Sequence, residues 1–250
     1  MSRIAIICDT HSGSISGLNI PGFADNNDNQ KVRYAFYRWA KERIEKNKPF
    51  THVIAAGDLV DGPQKKSNQR GLIIRSLNTQ ASVAAKIINM FEADTVLMVR
   101  GTPYHVLEGD EWESVVLKEV TARRKQIDDH LQCVVDDVII DVRHFQGAAA
   151  TYPEREQIDN LIWSLRKDGR HKAAIICRAH RHRYFAMKNA FGEYISIPGL
   201  QLHGNPHGDL KCSGQVRTGF IVLDTDKKGG YTWHAEIAEL PEAKKTLYRV

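Results

Sequence analysis

The chain has 250 residues, 42% of them apolar and 26% charged, which is ordinary for a globular protein long enough to bury one large α/β core without a metal's help. No apolar run reaches the ~20 residues that span a bilayer, and the opening MSRIAIICDT is too short and strand-like for a secretory signal, so a cytoplasmic protein with no membrane attachment is expected. The net charge of +5 tilts towards an anionic partner, although solubility alone accounts for it equally well.

Arg3 to Cys8 is a β-rich apolar run bounded by polar residues and predicts a buried strand. Ser12 to Gln30, rich in Gly, Ser, Asn and Asp, predicts a long functional or mobile loop. From Lys31 to Lys48 the apolar positions Val32, Ala35, Phe36, Trp39, Ala40 and Ile44 recur at helical spacing. His52 to Ala56 predicts a second strand, Gly62 to Gln69 a polar loop, and Arg70 to Phe91 a second helix. A third strand, Thr95 to Val99, precedes a charged helix from Glu111 to Lys125. Cys133–Val135 and Val138–Val142 flank Asp136 and Asp137 as a hairpin. A helix over Glu154 to Lys167 and a strand over Ala173 to Cys177 follow. Strands over Tyr184–Met187, Tyr194–Ile197, Gly219–Leu223 and Tyr231–Ile237 complete the chain. Alternation of strand and helix followed by strands alone argues for mixed sheets covered by helices, in one domain of residues 1–250. Cys8, Cys133, Cys177 and Cys212 form no CxxC pair and are expected to be reduced.

Eleven histidines are present, and their placement matters more than their number. One follows two residues after Asp9 in CDTH, one ends DVRHF at His144, and two stand in AHRH at His180 and His182. Between them come GDLVD, with Asp58 and Asp61, and RGTPYH, with Arg100, Gly101, Thr102 and His105. Each cluster follows a predicted strand, where α/β proteins build their crevices. Carboxylates and imidazoles suit divalent ions such as Mn, Fe, Zn or Co, and a central carboxylate can bridge two ions ~3.5–4 Å apart. Each cluster alone has a plainer reading: strand-end caps, a GD or DG turn, exposed histidines on a basic segment, or a satisfied core histidine at position 144. Five in order require five separate coincidences.

The series resembles the calcineurin-like metallophosphoesterase family, whose motifs run D-x-H, G-D-x-x-D, G-N-H-[DE], a lone His and G-H-x-H. It covers Asp9 to His182, about three quarters of the chain. The resemblance implies an α/β fold of two mixed β-sheets packed as a sandwich flanked by helices (α/β/β/α), and two divalent metal ions, with Mn expected and Fe, Zn, Co or Ni as alternatives. It implies that Asp9, His11 and His182 bind the first ion, Asp58 bridges, His144 and His180 bind the second, and Asp61 orients a histidine or its loop. The third motif departs from the pattern. Thr102 stands where the family has its Asn ligand, and His105 arrives two residues late, either as the histidine assisting catalysis or as the missing ligand. Arg100 is a candidate for gripping substrate phosphate. His203 and His207, in LHGNPHGD, are candidate substrate contacts or simply part of a solvated loop.

The implied activity is hydrolysis of a phosphate mono- or diester by a metal-bridging hydroxide, with a nucleic-acid or nucleotide substrate favoured. A protein phosphatase of the same superfamily is the nearer alternative, although the Arg that follows its second Asp is absent here. A metal-binding interaction module with little or no catalysis is the other, supported by Thr102. The oligomeric state is left open by the sequence.

Overall fold

A computed structural model of the chain describes residues 1–22, 30–64, 68–69, 71–103, 111–144, 173–189, 192–202 and 216–239. The first strand, β1 (Ser2–Ile7), alternates its apolar side chains between two buried faces. Ile4 and Ile6 point to one core, Ala5 and Ile7 to another. That double burial is why the run reads as continuously apolar.

β1 lies in a six-stranded sheet. Beside it run β2 (His52–Ala56), β3 (Thr95–Val99) and β4 (Arg124–Asp128), all parallel. On its other side β10 (Gly219–Thr225) pairs antiparallel, and β11 (Tyr231–Ile237) closes that edge. A second sheet has the order β5–β6–β7–β9–β8, from β5 (Leu131–Val135), β6 (Val138–Arg143), β7 (Ile175–Arg178), β9 (Gly192–Ser196) and β8 (Phe185–Asn189). Its centre, β6–β7–β9, is parallel and its edges are antiparallel. The expected pair of mixed sheets is what forms.

Between the sheets Ile4, Ile6, Ile54 and Val99 of the first meet Ile140, Val142, Ile175 and Ile195 of the second. The outer face of the first sheet is covered by α1 (Gln30–Asn47), α2 (Leu77–Asn89) and α3 (Trp112–Glu119). α1 buries Phe36, Ala40 and Ile44, one stripe at four-residue spacing. On the far face of the second sheet Ile176 and Tyr194 form a small apolar cluster with Ile139 and Phe185. The expected helix over 154–167 lies outside the described residues.

Two helices differ from expectation. α2 starts at Leu77, capped by Ser76, whose hydroxyl accepts the Thr79 N–H. The residues before it are held against the loop after β1 instead, where Ile73 and Ile74 N–H both donate to the Gly13 carbonyl. α3 ends at Glu119, short of the expected Lys125, and Arg124 and Lys125 instead open the edge strand β4. The β5–β6 hairpin turns as expected through Asp136 and Asp137, both at positive φ (47° and 66°), as a two-residue connection between right-twisted strands requires.

Candidate metal centre

The carboxyl ends of β1, β2, β3, β6 and β7 converge, so the two sheets together supply one cluster of side chains. Immediately beyond each strand the chain is zipped to its neighbour. Asp9 N–H donates to the Gly57 carbonyl at 3.0 Å, and His11 N–H to the Asp58 carbonyl at 3.1 Å. The loop after β1, expected to be functional or mobile, is buried from Ser12 to Asn19 apart from Ile15. The Asn19 amide fixes it by accepting from Gly13 N–H and donating to the Ser14 and Gly17 carbonyls. The buried amide of Gln80 does the same for the loop after β2, bonding Gly62 on both its N–H and its carbonyl. The site thus rests on rigid walls.

Two triads result: Asp9, His11 and His182, and Asp58, His144 and His180, with the ligand-type atoms of each within 4.8 Å of one another. In the first, His182 Nε2 lies 3.1 Å and His11 Nε2 3.8 Å from Asp9 Oδ1. In the second, His144 Nε2 lies 3.1 Å and His180 Nδ1 3.9 Å from Asp58 Oδ2. Five of these six residues hold left-handed backbone: Asp9 (φ 52°), His11 (41°), Asp58 (51°), His180 (72°) and His182 (52°). Such conformations cost about 1–3 kcal/mol each and persist only where the surroundings impose them. They let the chain turn out of its strand within one residue, which aims each side chain back over the strand ends.

The chemistry of these groups fits divalent cations. Asp9 Oδ1 and His144 Nε2 are buried and make no hydrogen bond, despite carboxylate–imidazole separations of 3.1 Å. Two such atoms left without hydrogen bonds in a dry interior would cost a good deal of free energy unless something else met them. His144 Nδ1 lies 2.6 Å from the Ala56 carbonyl, which can only accept, so Nδ1 carries a proton and Nε2 is the atom turned towards the carboxylates. Burial by itself would raise the Asp9 carboxyl, but the charges of His182 and His144 hold it below the usual carboxylate range. Burial by itself would lower His144, but Asp58 beside it pushes it up to about 10. In both cases the attraction between carboxylate and imidazole outweighs the desolvation of the charged form.

Other expected residues are placed as follows. Asp61 Oδ1 lies 3.2 Å from His11 Nδ1, while Gln64 Nε2 donates to its Oδ2. Such a carboxylate fixes the orientation of the imidazole and raises its basicity. Asp61→Asn is expected to weaken cation affinity ~10-fold without unfolding the chain, read by manganese titration calorimetry; unchanged affinity would remove Asp61 from the site. Thr102 reaches the site but turns to Asp58: its N–H donates to Oδ1 at 2.6 Å, and its hydroxyl lies 3.1 Å from each carboxylate oxygen. Arg100 is drawn elsewhere, to Asp129 at 3.3 Å and Glu111 at 3.6 Å. His105, His203 and His207 lie outside the described residues. Glu113, which the sequence did not single out, is buried with Oε1 3.3 Å from the Gly101 N–H. Burial and the neighbouring Asp58 raise its carboxyl. Its signal was a glutamate in register with Val116 and Val120 on an apolar helix face.

Cys8, Cys133 and Cys177 are free thiols, as expected, and Cys212 lies outside the described residues. Among the described residues no helix is long and apolar enough to cross a membrane.

No protein-family model matches the sequence, and comparison with curated proteins found no match. Among solved structures the chain is similar to a Vps29 single mutant from Entamoeba histolytica at 11% identity, covering 95% of this chain and 99% of that one, with a TM-score of 0.49. It is similar to an archaeal phosphodiesterase at 14% identity, covering 94% and 99%, with a TM-score of 0.48. It is similar also to wild-type Vps29 of Entamoeba histolytica complexed with zinc, at 11% identity, covering 94% and 98%, with a TM-score of 0.48. No activity, ligand or partner is carried over from likenesses this distant. The two mixed sheets form the α/β sandwich that the order of the motifs implied.

Proposed function

We propose that the chain, as one domain of residues 1–250, is a metal-dependent phosphoesterase in which Asp9, His11 and His182 hold one divalent cation and Asp58, His144 and His180 a second. Manganese is the ion favoured, with Fe, Zn, Co or Ni accepted by the same nitrogen and oxygen donors. The observation that carries this reading is the pair of facing triads with Asp9 Oδ1 and His144 Nε2 buried and without hydrogen bonds.

When bound, the cations supply Lewis-acid polarisation of a phosphoryl group and acidify water near neutral pH. The chain's own residues do the rest. The Ala56 carbonyl sets the tautomer of His144, Asp61 orients His11, and the His180 N–H steadies Asp9 through Oδ2 at 3.2 Å. Asp58, placed by the sharp turn at Gly57, stands between His144 and Thr102. His105 is the residue proposed to protonate the leaving group. Arg100, already engaged by Asp129 and Glu111, is given no substrate contact in this reading.

A phosphodiester of nucleic-acid or nucleotide type is the substrate favoured, supported by the net charge of +5. One observation favours a metal-binding interaction module instead: the Thr102 hydroxyl is spent on Asp58 rather than offered as a ligand. Hydrolysis of bis-p-nitrophenyl phosphate and of p-nitrophenyl phosphate, after chelation and again with manganese restored, separates the two. Manganese-dependent turnover that prefers the diester is expected. Manganese binding with turnover of neither ester would establish the module.

A further inference from the structure

We infer that Arg217 grips a second phosphate of the substrate, next to the one that is hydrolysed, so that the site selects diesters carrying a further phosphate group over simple diesters. This deepens the phosphoesterase reading and rests on it.

The open side of the cluster locates the residue. Asp9, His11, Asp58 and His144 are buried, whereas the side chains of His182 and His180 are 13% and 37% exposed. The mouth of the site therefore lies over the turn that carries these two histidines. Arg217 is tied to that turn, its N–H donating to the His182 carbonyl at 2.7 Å. It precedes β10, whose start lies at the carboxyl end of β1 because the two strands are antiparallel. Its backbone has little freedom. The neighbouring Thr218 donates its hydroxyl to the Gln201 carbonyl at 2.6 Å and accepts the Ala238 N–H at 2.8 Å. Val216 and Thr218 are buried on either side, and Arg217 is the exposed member of the three. A long cationic side chain is thus rooted on fixed backbone beside the mouth.

The charge of Arg217 is also uncommitted. Arg3, Arg43, Arg100 and Arg178 each meet a carboxylate, those of Asp224, Glu236, Asp129 and Asp141 in turn. Among the described residues Arg217 meets none. Arg100, which the sequence offered for substrate phosphate, is held by its own partners, and Arg217 supplies a guanidinium in its stead. The planar fork of a guanidinium matches two oxygens of one phosphate. The phosphate being hydrolysed has its charge met by the two cations. A guanidinium rooted against the backbone of a ligand, and not among the ligating atoms, is placed for the phosphate beside it. Arg181 and Arg183 flank His182 in the chain and raise the positive potential on the same side, which favours a substrate with more than one anionic group.

The test compares two chromogenic diesters that differ by a single phosphate: the p-nitrophenyl ester of thymidine 5′-phosphate, with and without a phosphate on its 3′ oxygen. Both are hydrolysed with manganese by the full chain and by Arg217→Gln, and release of p-nitrophenolate reports the diester bond alone. The unsubstituted chain is expected to show a KM ~10-fold lower for the 3′-phosphorylated ester, an advantage that added salt erodes. Arg217→Gln is expected to remove most of that advantage through KM with little change in kcat. Arg217→Lys is expected to restore part of it, since lysine keeps the charge without the fork. The same discrimination in Arg217→Gln as in the unsubstituted chain, or a loss shared equally by both esters, would overturn the role of Arg217 and leave the phosphoesterase reading intact. Manganese-dependent turnover of neither ester by the unsubstituted chain would overturn that reading and this inference with it.

Discussion

Asp58→Ala is expected to abolish cation uptake at the second triad and to lower kcat/KM for a phosphodiester by ~10³-fold or more, a loss of about 4 kcal/mol in transition-state stabilisation. Asp58 is the carboxylate of that triad, 3.1 Å from His144 and 3.9 Å from His180. Without it two imidazoles remain, and the force that now pushes His144 up to about 10 is gone. The sign of the pH effect follows. In the metal-free chain the raised His144 contributes stability that is full below its ordinary value near 6.5 and is lost as pH rises towards 10. The variant should therefore show a flatter dependence of melting temperature on pH across that window. Asp58→Asn keeps the shape and the left-handed backbone while removing the charge, so it separates chemistry from folding. An Asn variant with full manganese content and full turnover would end the assignment.

Gly57→Ala is expected to lower the melting temperature by about 6–12 °C and to erase activity at the temperatures where the variant still folds. Two costs combine. Gly57 has φ +81°, which an alanine adopts at roughly 1 kcal/mol. Its Cβ would then lie 2.7 Å from both Gly101 Cα and His144 Nδ1, overpacking worth ~1–3 kcal/mol. The neighbours cannot retreat cheaply, because one is backbone and the other is the ring bonded to the Ala56 carbonyl. Gly229→Ala is the internal control. Its φ is +76°, but its nearest neighbour would stand at 3.9 Å, so it carries the backbone strain alone and should cost only ~2–4 °C. Equal melting shifts in the two variants would show that crowding at the site contributes nothing.

Elements whose two faces meet different cores were legible in the sequence, because their apolar runs are dense and their ends are marked by polar clusters. β2 and β3 begin and end where the composition said they would. β4 was not legible. Its sequence RKQID has no apolar alternation, since most of the strand is exposed at the sheet edge and only pairing with β3 makes it a strand. The start of α2 was misplaced because Leu72, Ile73 and Ile74 carry helical-looking apolarity that is spent on the loop after β1. The burial of Ser12 to Asn19 was hidden too, because polar residues satisfied by one another look in sequence like residues satisfied by water.

At the site, spacing identified the groups that the two triads bring together, since each motif holds its residues within one turn of chain. It could not identify Glu113, which reaches the site through helix packing 12 residues beyond Gly101. Nor could it foresee that Arg100 would be taken by Asp129 and Glu111, one of them across the sheet edge. His130 shows the same blindness. Part-exposed in a charged segment, it donates through Nε2 to the buried Asp141, the tautomer being fixed because its Nδ1 must accept from Arg143.

The left-handed turns at the five triad residues carry a consequence for descent. Asn and Gly are the residues that enter this region of backbone space with least penalty. An Asp or His exchanged for Asn at any of these positions would lose its charge or its imidazole while the turn kept its course. The scaffold that gathers the triads can therefore outlive them, and a lineage built on it could surrender its cations one substitution at a time with its sheets intact.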